Sequence, residues 1–469
     1  MIWITNDQRA GMSKRILLLT STWDNDYNMA IIAGIIERIG DDDIELHIFN
    51  AYDTARESDY YNKGREIYKL PVPDRYDGMI IALSTLDSVK YVKGLTDEFR
   101  KHNKPVVSID IHAENAIFCG LDNYRSMYQI VEHMITIHDC RIFNYLGGPE
   151  DHAEAEERFR AFCDCLKDHG IRVEKKRVLH KRFWKSDVRA AYNEWKELGV
   201  GLADAVICAN DYMALGYIEE SAKDGISVPD YTKVTGFDNI DEAQMYYHSI
   251  TSVNRNRKAL GYESMDALLE ALDGNSEYDT RFVEGYISYN ESCGCDLTRD
   301  LHKDYNAIID RTRKEQETAL RHSYSRQALF QCRNMDEFGN AFTKLDELLG
   351  IGDMAICLNR SFFDGEPDKE RIGFDEEMIL YSGKEKYEIN RKERLYPKEW
   401  DDKNKVFLFA SLRSSIQTFG YLVIPYRSET FSKIKHRTVT ESIALSLNAI
   451  NLRIGMEKLK NKEKDINNQ

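Results

Sequence analysis

The chain is predicted to be an α/β protein with parallel sheets arranged in two lobes, extended by a smaller α+β portion and by flanking helices. Three observations predict this. Short apolar runs alternate with stretches of helical period through about the first 290 of the 469 residues, the pattern that builds parallel sheets covered on both faces. Several of those runs end directly on a polar side chain, as at Asp110, Asn210 and Asp238. After Cys295 the alternation gives way to a long charged stretch and then to a second group of apolar runs.

Taken in order, Ile16–Thr20 reads as a strand, Met29–Ile39 as an amphipathic helix, and Ile44–Phe49, Gly78–Ala82 and Val106–Ile109 as strands. Pro105 stands just ahead of the last of these, where a missing N–H does least harm. A helix from Asn123 leads to a strand at 141–146, the turn Gly147-Gly148-Pro149 and a further helix that carries Arg158 about two turns in. Residues 203–239 give strand, helix and strand: Ala205–Ala209, then Asn210-Asp211 opening a helix that runs to Lys223, then Gly225, Pro229 and a strand ending at Asp238. ITSVNRN at 250–256, a helix over 259–272 and a strand near 282–289 complete the alternation.

The stretch ANDYMALG (209–216), followed by GISVPD and VTGFDN, resembles the effector-binding domain of LacI/GalR repressors, which has a type I periplasmic-binding-protein-like fold. KPVVSID (104–110), LDNYRSMYQIVEHMI (121–135), FNYLGGP (143–149) and AEERFRAF (155–162) extend the resemblance in the family's order over residues 14–296. It implies lobe one from 14–123 and 253–281, and lobe two from 124–252 and 282–296. Only some 13 residues precede the first strand, too few for the helix-turn-helix headpiece and hinge of roughly 60 residues found in those repressors. Direct DNA binding is therefore not expected.

Residues 297–334 are strongly charged, with a sparse apolar stripe at Leu297, Leu301, Tyr305 and Ile308, and read as a helical connector. A helix at 335–349, strands near 353–358 and 377–381, and a hairpin across 405–425 that contains FGYLVIP look like a GAF domain over 335–432. The charged stretch 384–403 carries no nameable chemistry. The last helix, 433–469, bears two apolar stripes, Ile443, Leu447, Ile450 and Ile454, and Leu445, Leu452, Met456 and Leu459. Those stripes predict a short coiled-coil or packing helix and a homodimer held partly by residues 433–460. The ESCGC ending with this connector resembles bacterial sensory proteins that join a LacI-type receptor to a diguanylate cyclase or an AraC-type DNA-binding domain; no Gly-Gly-Asp-Glu-Phe sequence is present.

A formal charge of −15 argues against attraction of the whole chain to nucleic acid or anionic membrane. No apolar run approaches the ~20 residues that span a bilayer, and no signal peptide precedes the first strand, so a cytoplasmic chain is expected. The nine cysteines include Cys163/Cys165 and Cys293/Cys295, but paired Cys-x2–4-Cys spacing is missing; reduced thiols are expected, with a redox or metal role for 293–295 as the alternative. P-loop, Gly-x-Ser-x-Gly and His-Glu-x-x-His sequences are absent, and no pair of carboxylates stands out as acid and base, so the chain is not read as an enzyme and no cofactor is expected.

The site is therefore one for binding. Polyols and sugars take paired hydrogen bonds from Asp, Asn and Arg, and their apolar faces pack on aromatic rings. The family resemblance assigns effector contacts to Asp110, Arg158, Asn210 and Asp238, with Trp23 and Phe183-Trp184 in loops of the same kind. The resemblance implies a sensor for a sugar or related polar metabolite that couples lobe closure to its C-terminal helices or to a separate output protein. The alternative is a LacI/GalR-type transcription regulator that reaches DNA through a partner or an unrecognised segment.

Overall fold

The structure, a computed structural model, describes residues 13–22, 26–52, 63–83, 85–275, 280–295, 301–366, 369–383, 385–401, 405–427 and 436–467. Its strands begin with β1 (Lys14–Thr20), β2 (Ile44–Asn50), β3 (Gly78–Ala82), β4 (Val106–Ile109) and β5 (Ile117–Leu121). Then come β6 (Phe143–Gly147), β7 (Val178–His180), β8 (Ala205–Cys208), β9 (Lys233–Phe237) and β10 (Thr251–Asn254). The single strand expected near 282–289 is two, β11 (Thr280–Val283) and β12 (Tyr286–Ser288). Between them, a Cβ at Gly285 would sit 2.9 Å from the Asn254 carbonyl oxygen. Last are β13 (Ala355–Asn359), β14 (Glu377–Ser382), β15 (Glu385–Asn390), β16 (Val406–Arg413) and β17 (Thr418–Pro425).

Two compact α/β units result, of the type I periplasmic-binding-protein-like fold; the sheet of the first is parallel from β5 to β16 and antiparallel from β16 through β17, β13 and β14 to β15. The first takes residues 1–119, 261–281 and 309–469, and the second 120–260 and 282–308. Within the second, β12-β10-β9-β8-β6-β7 form one sheet, parallel except for β12. Apolar side chains of the helices Asn123–Thr136 and Ala153–Asp168 close one core with Tyr145, Ile207 and Phe237. Helices Val188–Glu197 and Asp211–Lys223 close another with Leu146, Val206 and Val234. Cores on both faces explain why β6, β8, β9 and β10 are buried along almost their whole length.

The first unit departs from expectation. Residues 335–432, expected as a separate GAF-like domain, share one sheet of 11 strands with the amino-terminal strands, in the order β11-β5-β4-β3-β1-β2-β16-β17-β13-β14-β15. The junction is a parallel pairing of β2 with β16, running from Leu46↔Val406 to Asn50↔Ala410. The cause lies in β2, whose seven residues are all buried. A strand carrying Ile44, Leu46, Ile48 and Phe49 is a liability as a bare sheet edge. Phe49 stacks on Phe409 with centroids 4.6 Å apart, and His47 is enclosed by Tyr76, Tyr396 and Phe407. Burial pushes the His47 imidazole down to about 4; its Nε2 donates to Glu45 and its Nδ1 lies 2.9 Å from the Tyr76 hydroxyl. The charged stretch 384–403 supplies β15 and the buried Leu395, Tyr396 and Trp400.

At the amino ends of β1 and β2 a cavity of about 700 Å³ is lined by Arg15, Glu45, Arg75, Arg394, Tyr396 and Asp401. Two of its arginines are paired within it, Arg15 to Glu45 at 2.9 Å and Arg394 to Asp401 at 2.7 Å. The connector is a helix, Leu301–Phe330, and the final helix is His436–Asn467. Val439, Ile443, Leu447 and Ile450 of the final helix are buried, whereas Leu445, Leu452, Met456 and Leu459 stay 41–63% exposed. Of the first expected stripe, Ile443, Leu447 and Ile450 pack against their own chain and Ile454 is half-buried, while the second stripe faces solvent.

Candidate functional site

In the second unit β6, β8, β9 and β10 run parallel, so their carboxyl ends open on one edge of the sheet, where ligands bind in open α/β structures. The helix Ala153–Asp168 delivers Glu154 and Arg158 to that edge, one turn apart on the same face. Arg158 is 2% exposed and fully engaged. Its Nε donates to Asn123 Oδ1 at 2.9 Å, Nη1 to the Ala209 carbonyl at 2.8 Å and Nη2 to Glu154 at 2.9 Å. Its guanidinium lies 3.8 Å above the Phe237 ring. Arg255, directly beyond β10, adds two hydrogen bonds to Glu154 and an ion pair with Asp238 at 3.6 Å. Burial alone would raise the Glu154 carboxyl, but Arg255 and Arg158 hold it down at about 2.

Asp238 follows β9 with φ 101°, and its amide donates to the Val253 carbonyl. A non-glycine residue in that region stores strain that the surroundings must impose. Its Oδ1 is buried without a hydrogen bond, held only by the Arg255 ion pair. Beside it Asn239 has φ 52° and a buried Oδ1 without a hydrogen bond. Asp211 lies beneath, fully buried, accepting from Ser252 Oγ at 2.6 Å and the Ile240 amide at 2.8 Å. Burial, followed by the charge of Asp238, raises its carboxyl well above the usual range.

Asn210 caps the helix Asp211–Lys223, accepting from the Met213 amide at 2.9 Å, while its Nδ2 donates to the Phe183 carbonyl at 3.1 Å. Both halves of its amide are thus engaged within the protein, with the Phe183 loop as one partner. Trp184 is 56% exposed beside that loop, and Phe183 packs edge-on against His152. In the first unit, Asp110 follows β4 with φ 58° and accepts a hydrogen bond from Tyr27. Trp23 lies outside the described residues.

Sequence reasoning missed Glu154, Arg255 and Asp211. The signals were present: Glu154 stands four residues before Arg158 on one helix, and Arg255 follows a strand run as Asp238 does. It also missed a second cluster in the same unit, where ligand-capable atoms of His133, His138, Cys293 and Cys295 all lie within 4.8 Å of one another. The alternative metal role for Cys293 and Cys295 falls on half of this cluster; its histidines were not legible, because His138 and Cys295 are 157 residues apart.

With this geometry in hand, comparison places a family described as "Periplasmic binding protein-like domain" on residues 131–293. A protein named HTH-type transcriptional repressor PurR from Photobacterium profundum is 26% identical over 222 residues, 46% of this chain and 64%, just under two thirds, of that repressor. One of the same name from Actinobacillus pleuropneumoniae is 22% identical over 284 residues, 60% of this chain and 81% of its own. Among solved structures, transcription regulator CcpA of Lactococcus lactis aligns with a TM-score of 0.49 and 18% identity, over 60% of this chain and 99% of its own.

Proposed function

We propose that this chain is an effector-responsive regulator of transcription of the LacI/GalR kind, with its small-molecule site at the carboxyl edge of the second unit's sheet. One observation carries the site: Asp238, held in a strained backbone at the end of β9, keeps a buried oxygen without a hydrogen bond beside the ion-paired group of Arg255, Glu154 and Arg158. A polar ligand with neighbouring hydroxyl or amide groups suits such donors and acceptors, and the exposed Trp184 offers a face for an apolar ring edge. The regulator half of the reading is supported by the names of the relatives. Direct contact with DNA is part of this proposal, in place of the expectation that there is none, and those names support it.

A second reading, a sensor that acts through a separate output protein, is favoured by one observation. Residues 309–469 belong to the first unit, and β16 continues its sheet past β2. In either case a homodimer is proposed, supported by the solvent-facing apolar stripe on the last helix.

A thermal-shift screen of sugars, nucleosides and amino acids identifies the ligand, and calorimetry then measures it on Asp238→Ala. Removing one charged hydrogen-bonding group costs about 1.5 to 3 kcal/mol, or roughly 10-fold or more in affinity. Unchanged affinity refutes the placement of the site. A mobility shift with DNA upstream of the gene, with and without that ligand, separates the two readings: specific retardation is expected for the regulator, and none for a sensor that needs a partner.

A further inference from the structure

We propose that His133, His138, Cys293 and Cys295 form a structural zinc site of the Cys2His2 type within the second unit. Four of the six contacts match the edges of a tetrahedron, and all the donor atoms lie within 4.8 Å of one another. Zinc bonds of about 2.0–2.1 Å to nitrogen and 2.3 Å to sulfur imply ligand–ligand edges of roughly 3.3 Å for N···N, 3.6 Å for N···S and 3.8 Å for S···S. The two Nε2 atoms are 3.1 Å apart. Cys295 Sγ is 3.5 Å from each of them, and Cys293 Sγ is 3.7 Å from His133 Nε2.

Local structure holds each donor in place. His133 sits on the last turn of the helix Asn123–Thr136, and His138 follows its cap residue Ile137. The rings of His133 and His138 meet edge to face, and His133 also packs against Tyr289. Cys293 and Cys295 flank Gly294, whose φ of 87° turns the chain within two residues. The turn is anchored from outside the cluster: Ser292 Oγ donates to the Val234 carbonyl at 2.6 Å and accepts from the Thr251 amide at 2.8 Å, while Glu291 accepts from the Ser249 amide at 2.9 Å. Cys293 is fully buried and His133 nearly so, with His138 and Cys295 at the half-buried rim.

Two thiolates and two neutral imidazoles around Zn²⁺ make a centre of zero net charge, which suits such burial. Binding releases the two thiol protons to solvent and involves no redox step. The ion ties the Cys293–Cys295 turn to the end of a helix far away in sequence, six positions before the connector helix begins at Leu301. It is distinct from the carboxyl-edge site, whose residues it does not share.

The test uses the full chain, purified under reducing conditions with zinc and then desalted. About one zinc per chain is expected, and Co²⁺ replacing it should show the intense visible bands and near-ultraviolet thiolate charge transfer of a tetrahedral site. His133→Ala, Cys293→Ser and Cys295→Ser should each lower bound metal below about a tenth of that, while Cys163→Ser leaves it unchanged. Loss of metal through unfolding of a variant is separated by treating the wild-type chain with a chelator: its unfolding temperature should fall by about 5 °C or more and return when zinc is added back. Wild-type protein that takes up neither metal after full reduction, including protein isolated with a Cys293–Cys295 disulfide, overturns the proposal. Full metal content in the Cys293 and Cys295 variants overturns it equally.

Discussion

Arg255 places both terminal nitrogens on the Glu154 carboxylate, Nη2 2.6 Å from Oε1 and Nη1 3.0 Å from Oε2, while Arg158 takes Oε2 from the other side at 2.9 Å. One carboxylate thus bridges two buried guanidinium groups at the end of the sheet, and Asp238, ion-paired to Arg255, supplies the second negative charge. Glu154→Ala strands both, and breaking a buried pair by removing one partner costs about 3 to 5 kcal/mol. Urea unfolding should show that loss; a change under about 1 kcal/mol would mean that Asp238 alone suffices as counter-charge.

The same pair sets a pH dependence. Glu154 sits at about 2 in the fold against 4.5 for an ordinary glutamate, so its folded value is depressed. Its contribution is complete above about pH 4.5 and is lost as pH falls towards about 2. Unfolding midpoints measured between those limits should fall more steeply for wild type than for Glu154→Gln. Parallel slopes would show that other carboxylates control acid unfolding.

Gly236→Ala should be among the most damaging single-methyl changes. A Cβ there would lie 2.0 Å from Asp211 Oδ1 and 3.2 Å from the Asp211 Cα, and Asp211 is tied to Ser252 and Ile240. Overpacking of this kind costs about 3 kcal/mol. Gly339→Ala, in a helix interior with nothing within 4 Å, should instead stabilise by about 0.5 to 1 kcal/mol. Calorimetric unfolding of both variants, shifting in opposite directions, is the expected result.

Replacing Leu452 and Leu459 together by Asp should convert a dimer to a monomer without loss of ligand affinity, because both side chains already face solvent in the single chain. Sedimentation at tens of micromolar reads the outcome. A variant that still dimerises removes the last helix from the interface.

The legible part of this fold was the part whose signal is local. Period and strand-end residues locate β8, the helix Asp211–Lys223 and β9, and the Asn210 cap follows from residue type alone. What stayed hidden depends on who pairs with whom. IELHIFN and VFLFASLR each read as strands, but neither names the other as a neighbour, so the sheet shared across β2 and β16 looked like two domains. The His133–Cys295 cluster was hidden for the same reason: its halves meet only once the helix end and the ESCGC turn are in place.

The β2–β16 pairing also sets an order of events during synthesis. β2 leaves the ribosome early, yet the strand that covers it begins at Val406. At about 5 to 20 residues per second that wait is on the order of 20 to 70 s, during which the nascent chain carries an uncapped apolar edge. The first unit therefore cannot close co-translationally in the way the second can, and its maturation is governed by a long-range encounter of high contact order. Chaperone dependence and slow refolding should concentrate in this unit, and a premature stop before residue 406 leaves an aggregation-prone template in place of a shortened but usable protein.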